Sequence, residues 1–186
     1  TMISLGARHS LFCCGLSIRL LWITPLADAC ESTSELRMVE QKIKAGLLYN
    51  FLKYVVWPEH ADPTASLCVF GNDPFAGALE PLSSRTVNQR RIVIRRIDSV
   101  PDAAACELLF VDEAERDRWP QILSITSRKS VLTVADFQGF LSSGGMVEFR
   151  REDERIRVRI NLPAITAADL RIEDRLLRLL ELGGDP

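Results

Sequence analysis

The stretch Gln41 to Glu59, QKIKAGLLYNFLKYVVWPE, decides how the rest of the chain is read. Around it, Leu36, Val39, Ile43, Leu47, Leu48, Phe51, Tyr54 and Val55 recur at threes and fours, the spacing of one buried stripe on an α-helix. Ser32 and Glu35 stand at capping-box spacing, which predicts a helix start near Thr33 or Ser34. Glu40 and Lys44 form an i, i+4 pair in the favourable order. Pro58 disfavours a helical conformation at Trp57, so the predicted helix stops there.

Upstream of this helix the chain has the pattern of an export signal. Arg8 and His9 precede the apolar run Ser10 to Leu26, and Ala27-Asp28-Ala29 supplies the small-x-small site of a signal peptidase. Residues 1–29 are therefore expected to be a signal peptide and residues 30–186 one exported domain. Arg19 inside the apolar run argues against a permanent membrane span. Cys30 follows the cut; with Asp28 before the last alanine the site is a poor lipobox, so a free thiol is favoured over a lipid anchor.

Composition narrows the function classes. An apolar fraction of 47% and a charged fraction of 26% over 186 residues fit one domain with a real core and exclude disorder. A net charge of −2 excludes a protein built mainly to neutralise nucleic-acid phosphates.

Downstream, short β-branched runs alternate with short helical signals. Leu67 to Phe70, Arg91 to Ile97, Cys106 to Val111 and Val131 to Val134 read as buried strands. Asp73-Pro74 predicts a helix from Phe75 to Leu82, and Asp112 with Glu115 predicts another towards Ser124 that Pro120 distorts. A short helix is expected over Phe137 to Leu141, stopped at Gly144-Gly145, and a last one over Glu173 to Glu181. Met146 to Arg150 and Arg155 to Ile160 alternate about the acidic turn Glu152-Asp153-Glu154 and read as an antiparallel hairpin. The expected fold is a single α/β domain: a largely parallel sheet with helices on both faces and an antiparallel edge hairpin. The connection Asp98 to Ala105 is short for a parallel crossover.

Catalytic chemistry finds little material. Beyond the signal the only histidine is His60, with no partner pattern for a triad, so a solvated loop residue is the expectation. One histidine and two separated cysteines make no zinc set, and no EF-hand or phosphate loop is present. Gly71-Asn72-Asp73-Pro74-Phe75 reads as a capped turn, with Asn72 and Asp112 marking the strand ends where a small ligand would bind. No cofactor or metal is expected. Arg155, Arg157 and Arg159 alternate with Ile156, Val158 and Ile160 and share one strand face. That face is either a solvated surface or a contact for an acidic protein partner. Cys68 and Cys106 start the first and third strands; if those strands are neighbours, the pair can form a disulfide.

The segments KAGLLYNFLKYVVWPE, LCVFGNDPF, CELLFVDEAE, SVLTVADFQGF, GGMVEF and RVRINL, in that order, resemble the YfiR-like family of bacterial periplasmic proteins. The resemblance implies a periplasmic, non-catalytic α/β domain that restrains an inner-membrane diguanylate cyclase by binding its periplasmic part. It also implies relief by an outer-membrane lipoprotein, control of cyclic-di-GMP and biofilm formation, and a homodimer. Cys68 and Cys106 match one family disulfide; a second, expected near Gly145 to Glu152, has no cysteines here. Where many relatives carry an acid before the Ile-Asn pair, this chain has Arg159.

Overall fold

A computed structural model describes residues 26–58, 62–152 and 155–182. His60, most of the apolar leader and the hairpin tip Asp153-Glu154 lie outside these residues. In chain order the elements are α1 (Leu26–Tyr54), β1 (Val55–Val56), β2 (Thr64–Phe70), β3 (Thr86–Val87), β4 (Arg90–Ile97), β5 (Leu108–Val111), α2 (Trp119–Thr126), β6 (Leu132–Ala135), β7 (Val147–Glu152), β8 (Arg155–Ile160), α3 (Leu162–Ala167), β9 (Arg171–Ile172) and α4 (Asp174–Leu182). Tight 3-10 turns occupy Glu80–Ser84, Val100–Ala105 and Glu113–Arg118.

A seven-stranded sheet runs β3-β4-β2-β5-β6-β7-β8. Its five central strands are parallel, and β3 and β8 close the two sides antiparallel. One face carries Leu67, Val69, Phe110, Val134 and Phe149 beneath α1, with Ile165 and Leu176 in the same cluster. The other carries Phe70, Leu109, Val111 and Ala135 beneath Trp119, Ile122, Phe137 and Phe140. This three-layer arrangement is the expected fold class. The short crossover is also accounted for. β5 pairs only with Leu67 to Phe70 of β2, so the chain leaving Ile97 descends about three residues, roughly 10 Å, before pairing again. The turn Val100–Ala105 spans that gap without a full helix.

Cys68 lies on β2 and Cys106 just before its neighbour β5, and the two are bonded, with Cα atoms 6.0 Å apart.

Several local expectations need correction. Helix α1 starts at Leu26, upstream of the Ser32–Glu35 capping box, and ends at Tyr54. Val55 and Val56 are extended and pair with Ile172 and Arg171, because β-branched residues before a proline favour a strand when a partner is present. The expected helix over Phe75 to Leu82 is absent: Ala76 and Gly77 have φ of 46° and 89°, which no helix continues through. Asp73 still caps locally, its Oδ1 accepting the Phe75 N–H at 2.8 Å. Pro120 does not distort a helix; it sits in the first turn of α2, where its missing N–H costs nothing. Phe137 to Leu141 forms turns in place of a helix, and packs Phe140 edge-on to Phe137 at 5.2 Å.

The stripe on α1 divides in two. Ala45, Leu48, Phe51, Leu52, Tyr54 and Val55 are buried, but Leu36, Val39 and Ile43 are 53%, 53% and 47% exposed. Gln41 already reaches Pro74 and Lys44 reaches Asp136, both just past strand ends. The turns before them overhang the strand ends, where among the described residues nothing buries Leu36 and Val39.

Candidate functional site

The β7–β8 hairpin arises from strict alternation. Val147, Phe149, Ile156, Val158 and Ile160 point to the α1 face, with Val147 opposite Ile160 and Phe149 opposite Val158. The opposite face therefore carries Glu148, Arg150, Glu152, Arg155, Arg157 and Arg159. Glu148 is only 2% exposed; it accepts the Leu141 N–H at 3.3 Å and pairs with Arg150 at 3.2 Å. The remaining arginines make the face basic. Arg155 and Arg159 are exposed and Arg157 is half-buried. On the α1 side, Arg151 reaches Glu40 at 3.5 Å and ties the hairpin to the helix.

A second candidate, the crevice at the carboxyl ends of the strands, is filled by the protein's own groups. Lys44 spans it, with Glu40 at 2.7 Å and Asp136 at 2.8 Å. Burial disfavours the Lys44 ammonium, yet hydrogen bonds to Asp136 and Glu40 more than offset that and hold its pKa above the ordinary value. Beside it a cleft of about 430 Å³ is lined by Arg37, Gln41, Asp73 and Phe75. Gly71, at φ 88°, faces the Glu115 side chain so closely that a Cβ there would lie 2.4 Å from it, and Asn72 is exposed. Neither Asn72 nor Asp112 lines this cleft. Among the described residues no group of histidine, cysteine, aspartate or glutamate is placed to hold a metal ion. Among the same residues no helix is long and apolar enough to cross a membrane.

Asp112 gives a pH prediction. Burial raises its carboxyl pKa, the nearby Asp136 and Glu115 add to this, and the Ala114 and Glu113 amides work against it. A carboxyl whose folded pKa exceeds its unfolded value of about 3.9 binds its proton more tightly when folded, so protonation stabilises. The penalty for its charge is absent below about pH 4 and grows as pH rises through the raised folded value. Asp112→Asn keeps the acceptor and removes the charge. It is expected to raise Tm at pH 7 and leave it unchanged at pH 3; equal shifts at both would reject this origin.

Sequence reading placed Arg155, Arg157 and Arg159 on one face, and the structure brings them together there. It missed the Arg151–Glu40 tie and the bare first half of α1, for which the helical period alone carries no signal. A family model described as YfiR/HmsC-like matches residues 41–180, most of the chain. No curated protein matches it.

Proposed function

The chain belongs to the YfiR/HmsC-like family, and from that premise we propose that it is an exported, non-catalytic regulator. It binds the periplasmic part of an inner-membrane diguanylate cyclase and restrains it, linking envelope state to cyclic-di-GMP and biofilm formation. Residues 1–29 act as the export signal and residues 30–186 as the regulatory domain, working as a homodimer in the periplasm. An outer-membrane lipoprotein relieves the restraint by sequestering it.

The observation that carries this reading is the arginine face of the hairpin. Arg155 and Arg159 are exposed on a surface that no helix of the described residues covers, and the buried Glu148 pairs with Arg150. Such a face suits an acidic protein surface, and like-charge partners are rejected by it. Deleting the gene is expected to raise intracellular cyclic-di-GMP and biofilm mass; unchanged levels reject the regulatory role. Arg155→Glu, Arg157→Glu and Arg159→Glu together are expected to weaken partner binding by roughly a hundredfold, about 1 kcal/mol per charge, and to mimic the deletion. Unchanged binding would reject this face.

A further inference from the structure

We propose that β8 is a strand-addition site: its outer edge takes up an extended partner segment in which acidic and apolar residues alternate. This rests on the reading that the arginine face meets the partner, and it specifies how.

Among the described residues no strand pairs with the outer edge of β8. The Asn161 N–H donates to the Met146 carbonyl, so Arg159, Arg157 and Arg155, two residues apart in turn, direct their main-chain groups inward to β7. Ile156, Val158 and Ile160 then direct theirs outward, and among the described residues none of their amides meets an acceptor. No proline or bulge interrupts the six residues of β8. The opposite side of the sheet is less available. There β3 covers the start of β4, the turn Glu80–Ser84 lies against it, and Arg96 is held by Asp73 and Glu80.

Side-chain chemistry selects the occupant. Charged side chains on an edge strand commonly serve to prevent pairing. Here they prevent one pairing in particular. Antiparallel β8–β8 pairing about a twofold at Arg157 sets Arg155 opposite the partner copy's Arg159, and like charges directly opposed are destabilising. A second copy is therefore disfavoured at this edge. A strand with acids opposite Arg155 and Arg159 is favoured by the same geometry. Its alternate residues fall on the α1 side, next to the half-buried Ile156, Val158 and Ile160. Glu40, which reaches Arg151 across from Ile156, has Leu36 one turn before it and Ile43 one turn after. The exposed apolar residues of α1 thus border the edge where the incoming apolar side chains arrive.

The test uses fluorescein-labelled (Glu-Val)4 and fluorescence anisotropy with the purified, disulfide-bonded protein. The peptide is expected to bind, and (Lys-Val)4 to bind at least about tenfold more weakly. Methylating alternate peptide nitrogens along one edge keeps the charge but removes the main-chain donors; it is expected to weaken binding by at least about tenfold. Val158→Pro removes an outward N–H that β7 does not use, and is expected to weaken binding equally with an unchanged circular dichroism spectrum. No binding of (Glu-Val)4, or equal binding of its N-methylated form, overturns strand addition. In cells, Val158→Pro that still restrains cyclic-di-GMP while the triple arginine reversal releases it also overturns strand addition and leaves the regulatory face standing. A deletion without effect strikes the regulatory role instead, and the peptide measurement still decides the edge.

Discussion

Replacing Cys68 and Cys106 together by alanine is expected to lower the unfolding free energy by about 4 kcal/mol. The bond closes a loop of 38 residues, and on the chain-entropy model a loop of that length restricts the unfolded ensemble by this amount. The native state has little to lose otherwise. Both sulfurs sit in the second hydrophobic cluster at 0% and 4% exposure, and alanine keeps that site small and apolar. Urea unfolding of the oxidised protein and the double variant gives the difference directly, and the variant's m-value should rise because its unfolded chain is less constrained. Burial also makes a kinetic statement: reductant should act on the wild type only as fast as the sulfurs become accessible. A loss below about 1 kcal/mol would mean that the unfolded chain already holds Cys68 and Cys106 close together.

The bond joins adjacent strands, which shows where sequence reading is strong. Runs such as Leu67 to Phe70 and Leu108 to Val111 are apolar throughout, as strands covered on both faces must be, and their order follows from short connections. Alternation over Arg155 to Ile160 was equally legible, because a period of two assigns each side chain to a face without tertiary information. The failures have one physical source. A helical period identifies the face of α1 that carries Leu36, Val39 and Ile43, but not whether anything lies opposite, and among the described residues they stay about half exposed. Val55-Val56 continues the helical spacing, yet its partner Arg171–Ile172 lies over a hundred residues away in sequence and makes it a strand. The site divides the same way: the arginine face is local, whereas the open edge of β8 depends on the order of all seven strands.

Arg90→Met is expected to cost about 3 kcal/mol or more, and the double variant Arg90→Met, Glu107→Leu to recover much of that loss. Glu107 is 8% exposed at the entry to β5 and is fixed there by its main chain, whose N–H donates to Ser66 Oγ at 2.9 Å and whose carbonyl accepts from Leu132. Arg90, at the start of β4, answers its carboxylate with both terminal nitrogens, Nη1 to Oε2 at 3.2 Å and Nη2 to Oε1. The same guanidinium donates through Nε to the Asp62 carbonyl at 2.8 Å and through Nη2 to the Thr64 carbonyl. It therefore fastens the amino-terminal ends of three strands, β4, β2 and β5. Removing Arg90 alone leaves a buried carboxylate without its cation and takes one donor from each of two carbonyls, the situation in which burial costs most. Removing both partners eliminates the stranded charge, so a double-mutant cycle should give a large favourable coupling although the pair's net worth is modest. A single-variant loss below about 1 kcal/mol would mean that Glu107 escapes the penalty by reaching water. Five strand spacings, about 24 Å, separate β4 from β8, so any change in partner binding by Arg90→Met should vanish once its lower stability is corrected for. That separation allows the two ends of the sheet to be tested independently.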